Sequence, residues 1–245
     1  MLVWAASYQR SGNTLTLRTL HDVYGIDRFC TVHGGGPWMR GRARSRNYKV
    51  PEELVGLPTD ELFDALRDRP EPFFVKSHRI QDSADPAPAL YIVRDGRDVH
   101  VSRAHWIAGK KVGPYELPFD ERLETLVTSG HPLWSEHTHK WRTRSGPTAL
   151  VRFEELVDDP AGAVKRACDE LGVPLPEPVG ELTPWEKLHA RNPLMHRRGK
   201  AGSWQEEMPP EIEERFWSIH GEEMDALGYS RRDGSVTERA GASAR

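Results

Sequence analysis

Four short segments of this 245-residue chain carry side chains suited to handling anions and protons. The first is Ser7-Tyr8-Gln9-Arg10-Ser11-Gly12-Asn13-Thr14, where an apolar run gives way to a helical pattern. A loop between strand and helix offers backbone N–H groups and the positive helix end to an anion. Gly12 permits close backbone approach, Arg10 adds a cation, and Ser11, Asn13 and Thr14 add donors. The string also reads as an ordinary strand-to-helix turn with a cap. The second segment, Phe74-Val75-Lys76-Ser77-His78, sets an ammonium and an imidazole at the end of a strand. A lone loop histidine is more often solvated surface. The third is Arg94, which follows the apolar run Ala89–Val93, with Ser102 about two helical turns further on. Ligands of open α/β sheets bind at such carboxyl ends, although Arg94–Asp98 or Asp95–Arg97 could equally form a surface ion-pair cluster. The fourth is Arg197-Arg198-Gly199, two guanidiniums and a glycine suited to clamp an oxyanion, or else a solvated basic turn.

The elements that must position these residues alternate along the chain. Leu2–Ser7, Phe73–Lys76, Ala89–Val93 and Thr148–Phe153 are short apolar runs of the kind that form buried parallel strands. Helical spacing follows the first run through Leu15, Leu17, Leu20, Val23 and Tyr24. It recurs over Pro58–Arg69, with Thr59 as N-cap, and over about Asp95–Trp106. Further helices are expected near Asp120–Ser129, Leu133–Arg144, Pro160–Leu171 and Pro209–Leu227. His33–Lys49, rich in Gly and Arg, and Ile107–Pro118 lack periodicity and read as loops. The alternation predicts one α/β domain over residues 1–230, a central parallel sheet flanked by helices on both faces. The polar segment 231–245 reads as a disordered tail.

Composition narrows the function. The formal net charge is −3, so no bulk basic field points to nucleic acid, and the clustered arginines suit a small polyanion better. The two cysteines, Cys30 and Cys168, are far apart, which predicts no disulfide framework and fits a reducing cytoplasm. No run of about 18 apolar residues occurs and the N-terminus reads as a strand, so neither a transmembrane helix nor a signal peptide is expected. His131, His137 and His139 match no zinc spacing, and the string G-x-x-x-x-G-K-[ST] does not occur. No metal site is expected.

Taken in order, the motifs resemble the PAPS-dependent, cytosolic-type sulfotransferases, which use 3′-phosphoadenosine 5′-phosphosulfate (PAPS). The first loop is similar to that family's Tyr-Pro-Lys/Arg-Ser-Gly-Thr/Asn-Thr, with Gln9 in place of proline. Tyr91–Ser102 resembles its 3′-phosphate strand and helix. Arg197-Arg198-Gly199-Lys200-Ala201-Gly202-Ser203-Trp204 resembles its Arg-Lys-Gly-x-x-Gly-Asp-Trp motif. There Arg198 replaces lysine, and Ser203 removes a carboxylate that orders the segment. The resemblance implies a P-loop-kinase-like sulfotransferase fold and a division of roles. Arg10, Ser11, Gly12, Asn13 and Thr14 would hold the 5′-phosphosulfate. Arg94, Ser102, Arg197, Arg198 and Gly199 would hold the 3′-phosphate. Trp185, in Thr183-Pro184-Trp185, would stack on adenine, and Phe153 occupies a position that is usually Tyr. His78 would be the general base, and Lys76, with Arg10, would stabilise charge on the phosphosulfate as the bond breaks. Each aromatic also reads simply as core.

The expected reaction is sulfuryl transfer from PAPS to a hydroxyl of a small molecule, leaving PAP, without metal, nucleic acid or membrane. The rival classes are a nucleotide-dependent kinase, which needs a Walker lysine, and a non-catalytic PAP-binding protein, which needs neither Lys76 nor His78. The acceptor is expected to be framed by His33–Lys49, Ile107–Pro118 and Ser129–Glu136. Their Trp38, Met39, Tyr48, Trp106, Tyr115 and Trp134 suggest an aromatic or otherwise bulky compound, while Arg40–Arg46 would suit an anionic one. High Arg, Gly, Ala and Pro usage suggests a bacterial enzyme that tailors natural products. The family's C-terminal Lys-x-x-x-Thr-Val-x-x-x-Glu dimer motif does not occur, so oligomeric state is left open.

Overall fold

A computed structural model describes residues 1–27, 29–32, 51–54, 57, 59–80 and 84–231. In chain order the elements begin with β1 (Leu2–Ser7) and α1 (Asn13–Arg18), which runs on as a π-helical turn, Thr19–Val23. β2 (Phe29–Val32), a 3-10 turn (Glu52–Leu54), α2 (Thr59–Arg67), β3 (Phe73–Ser77) and β4 (Ala89–Val93) follow. Then come α3 (Gly96–Lys110), α4 (Phe119–Ser129), α5 (Trp134–Arg142), β5 (Thr148–Arg152), α6 (Phe153–Asp158) and α7 (Pro160–Glu170). The last are α8 (Trp185–Arg191), α9 (Trp204–Glu207) and α10 (Pro210–Ala226). The expected loop 33–49 and the side chain of Thr59 lie outside the described residues.

The chain divides into two compact units, Met1–Val93 with Lys140–Pro184, and Arg94–His139 with Trp185–Arg245. The first contains the sheet, five parallel strands in the order β2-β3-β1-β4-β5. β1 is buried at every position, as a central strand covered on both faces must be. One face packs Val3, Ala5, Phe74, Leu90, Ile92 and Val151 against Leu17 and Leu20 and, from α7, Val164 and Cys168. On the other, Trp4 meets Phe63 of α2 edge-on at 5.1 Å, and Tyr91 stacks on Trp141 at 5.6 Å. Each such ring contributes roughly 1.5–3 kcal/mol by leaving water. Asp85 ties this face down, accepting from Trp4 Nε1 at 3.2 Å and Arg67 at 3.3 Å. The α/β class with helices on both faces of a parallel sheet is therefore as expected.

The second unit is helical. α3, α4 and α10 pack together around Trp134, Phe216, His100 and His220. His100 and His220 are fully buried, and desolvation holds them down at about 3 and about 4, so both are neutral. Their rings are fixed by Nδ1 of His100 on Gly96 O at 2.6 Å and Nε2 of His220 on Val127 O at 3.1 Å.

Several boundaries differ from the sequence reading. β2 is a fifth strand, too short at four residues to stand out in a pattern search. α3 runs to Lys110, so only the later part of Ile107–Pro118 is loop. Phe153 opens α6 and does not end β5. α8 and α9, of seven and four residues, were not anticipated because neither is long enough to show a period. Trp134 is 1 % exposed in the second unit's core, where it cannot frame an acceptor. Arg231, placed in the expected tail, is described, and its carbonyl accepts from Arg97 at 3.1 Å; 232–245 lie outside the described residues.

Candidate active site

Parallel register sets the rim of the first unit. β1 pairs Ala5 with Lys76 and Ala6 with Ser77, so the next residues, Ser7 and His78, come alongside each other. His78 Nδ1 donates to Ser7 O at 2.9 Å, with Ser7 Oγ at 3.2 Å. A carbonyl can only accept, so Nδ1 carries the proton and the ring's lone pair lies on Nε2. That is the tautomer a general base requires. Ser7 is the one residue of this arrangement to which the sequence reading gave no part; its signal was only its place at the end of β1.

Lys76 lies largely out of water. Burial, with a smaller push from Arg10, lowers its ammonium to about 8, and among the described residues no carboxylate raises it again. Two half-buried cations held close together favour an anion between or beside them. Arg10 has φ 71, in the left-handed region that residues other than glycine avoid. Such backbone conformations cluster at functional sites. Gly12 has φ 113, and a Cβ there would lie 2.7 Å from Phe153 Cδ2. Phe153, 8 % exposed, therefore packs against the phosphate-type loop, and glycine is required by conformation and space together. Ser11 Oγ is buried without a hydrogen-bond partner among the described residues, a donor that a bound anion would satisfy. The Asn13 amide nitrogen is already used: it donates to Ala5 O at 2.7 Å and Ser7 Oγ at 3.4 Å, pinning α1 to β1.

The second unit gathers Arg94, Ser102, Arg197, Arg198 and Gly199 by a different logic. Arg94 and Asp98 do pair, at 3.2 Å, but in a buried place and not on the surface. Asp98 Oδ2 also accepts from Gly202 N at 2.8 Å and Oδ1 from Trp204 N at 3.0 Å. Arg94 donates to Lys200 O at 3.1 Å. Asp98 thus orders the segment that Ser203, lacking a carboxylate, was expected to leave less constrained. Arg97 is structural: it forks onto Asp95 at 2.7 and 3.0 Å, bonds Glu213 at 3.0 Å and lies 3.6 Å over the Trp204 ring. Gly199, φ 64, leaves no room for a Cβ against Trp185 Nε1. Trp185 is 38 % exposed, with His189 stacked on its indole at 4.7 Å. Trp185 and Gly199 are therefore neighbours, while Arg197 and Arg198 engage Glu206 and Glu207, which the sequence reading did not single out.

Among the described residues, no group of His, Cys, Asp or Glu could hold a metal ion, and no helix is long and apolar enough to cross a membrane.

Residues 2–228 match the sulfotransferase domain family, and the chain belongs to it. It is 24 % identical to Sulfotransferase 1A1 of Canis lupus familiaris over 216 residues, covering 76 % of this chain and 71 % of that one. It is 28 % identical to Sulfotransferase 2B1 of Mus musculus over 236 residues, covering 82 % and 68 %. Among solved structures it resembles mouse sulfotransferase SULT7A1 complexed with PAP, with a TM-score of 0.61, 16 % identity and 91 % and 83 % coverage. It also resembles retinol dehydratase in complex with androsterone and inactive cofactor PAP, with a TM-score of 0.60, 20 % identity and 91 % and 80 % coverage. Its enzyme class is accordingly sulfotransferase, and its general reaction is sulfuryl transfer.

Proposed function

We propose that this chain transfers the sulfuryl group of PAPS to a hydroxyl of a small-molecule acceptor, giving PAP and a sulfate ester. The observation that carries the reading is the rim at which His78, tautomer set by Ser7, shares a strand end with Lys76 beside Arg10. His78 Nε2 takes the acceptor's proton; the acceptor oxygen bonds to sulfur as the sulfur–oxygen bond to the phosphate breaks. The leaving phosphate gains negative charge, which Lys76 and Arg10 offset, and the loop 10–14 holds the group in line. Arg94, Ser102, Arg197, Arg198 and Gly199 serve the 3′-phosphate, and Trp185 presents an indole face to adenine.

The acceptor we favour is a bulky or aromatic hydroxyl compound. Tyr115 is exposed and Trp106 half-buried in the second unit, while Trp38, Met39 and Tyr48 lie outside the described residues. Two similar proteins point the same way: one is a flavonol 3-sulfotransferase of Flaveria bidentis, and one was solved with androsterone. A cytoplasmic setting and a bacterial tailoring role are parts of the same proposal.

The test is donor preference followed by turnover. PAP should raise the melting temperature clearly, and AMP or ATP with magnesium at equal concentration should do little. Incubation with PAPS and a panel of phenols, sterols and anionic alcohols should yield one acceptor heavier by SO₃ in mass spectrometry. Stronger stabilisation by ATP with magnesium than by PAP would replace this reading with a kinase.

A further inference from the structure

Glu207, at the carboxyl end of α9, engages Arg197, Arg198 and His105. Its Oε1 and Oε2 take Arg197 end-on, at 2.8 Å from NH2 and 3.0 Å from NH1. Oε1 lies 3.3 Å from Arg198 Nε. Oε2 is 2.6 Å from His105 Nε2 on α3. Its side chain is only 14 % exposed, so these contacts are shielded from water and salt. Arg197 and His105 hold Glu207 ionised against the cost of its burial. The neighbouring Glu206 differs: it is 55 % exposed and pairs with Arg198 and, at 3.0 Å, with Lys200.

The placement along α3 gives these contacts a purpose. Asp98, Ser102 and His105 are spaced i, i+4, i+7 and so share one face of the helix. Asp98 anchors Gly202, Trp204 and Arg94 on one side of Ser102. His105, through Glu207, anchors Arg197 on the other. Ser102 thus lies between two carboxylate anchors that together fix the 197–204 segment against the helix. A guanidinium has five N–H donors, and an end-on carboxylate uses two. Nε–H and the outer N–H groups of Arg197 stay directed elsewhere with the fork's orientation fixed.

We infer that Glu207 is a positioning residue: by holding Arg197 against His105 it pre-orients the guanidinium that receives the nucleotide's 3′-phosphate. The inference rests on the proposed PAPS reading. Orienting a donor before binding removes an ordering cost that would otherwise weaken the complex. Glu206, exposed and paired with Arg198 and Lys200, has no such role and only neutralises surface charge.

The experiment is calorimetric titration of the full chain with PAP and with AMP. Glu207→Ala should weaken PAP by roughly tenfold, the scale of one well-oriented charged contact, and leave AMP nearly unchanged. A merely structural carboxylate would weaken both nucleotides alike. Glu206→Gln should alter neither by more than about twofold, as for an exposed pair. In an Arg197→Ala background the effect of Glu207→Ala should vanish, because the two act as one unit. Glu207→Gln preserves side-chain size and carries the same test if Glu207→Ala does not fold. Tighter PAP binding in Glu207→Ala would mean that the carboxylate competes with phosphate, and would overturn the inference. So would an undiminished effect without Arg197. Failure of the underlying reading would show earlier and elsewhere, as wild-type protein that binds PAP no better than AMP.

Discussion

At the rim of the sheet, Lys76 and Arg10 bring two positive charges together, and among the described residues no carboxylate opposes Lys76. Along α3, Arg94 has Asp98, Arg197 has Glu207, and Arg198 has Glu206 and Glu207. Both regions suit anions, yet among the described residues one sets no carboxylate against its lysine and the other pairs each arginine in advance. The contrast follows from what each anion must do in the proposed reaction. Charge builds on the leaving phosphate as sulfur departs, so cations there are worth most when no fixed anion already offsets them. The 3′-phosphate keeps its charge throughout, so its partners need orientation more than unspent field, and a carboxylate behind each guanidinium supplies that.

The comparison can be broken most directly at the rim. His78→Ala should lower kcat by about 100- to 10,000-fold while leaving PAP affinity close to wild type. Single-turnover kinetics with PAPS, beside a PAP titration, would check it. Near-normal kcat would remove His78 from the chemistry and with it the reactive character of this region.

A smaller effect tests the other side. Arg94→Ala should cost roughly tenfold or more in PAP affinity, since a charged hydrogen bond contributes about 1.5–3 kcal/mol, and should spare AMP. Equal losses for both nucleotides would mean that Arg94 only supports Asp98 and the fold.

The smallest effect sharpens the contrast through pH. Burial pushes the Lys76 ammonium down from its usual 10.5 to about 8, so its positive charge is lost as pH rises through about 8. PAP affinity should therefore decline above pH 8, by at most tenfold per pH unit, because the bound phosphate raises the lysine and binding then has to take up a proton. Lys76→Arg should flatten that decline, as guanidinium stays charged. The paired arginines of the other region contribute no such limb. A pH-independent affinity in the wild type would show that Lys76 is not exposed to the nucleotide's charge.

Much of this was legible in one dimension because the information was local. A strand that ends in Ser7, a glycine at 12 that permits close backbone approach, and a lysine two residues before a histidine are all set by nearest neighbours. The apolar runs of β1, β3 and β4 were legible for the same reason, since burial on both faces demands hydrophobicity, while β5 at the sheet edge alternates buried and half-buried positions. Short elements such as β2, α8 and α9 were not, because four to seven residues carry less periodicity than noise. Nor was the difference between an aromatic in a site and one in a core: Trp134 and Tyr115 are alike in sequence, and only packing buries the one and exposes the other.

The amino-acid sequence by itself determined the kinds of group available and the order of the motifs, hence the α/β class and the sulfotransferase family. Tertiary structure alone decided how those groups are poised. The register of β1 on β3 gives His78 its tautomer through Ser7 O, a residue 71 positions away. The fold of the helical unit brings Glu207 to His105, 102 positions away, and so holds Arg197. Hydrogen bonds and ion pairs depend on distances of a few ångströms between residues that the chain separates by tens of positions, and only packing sets such distances.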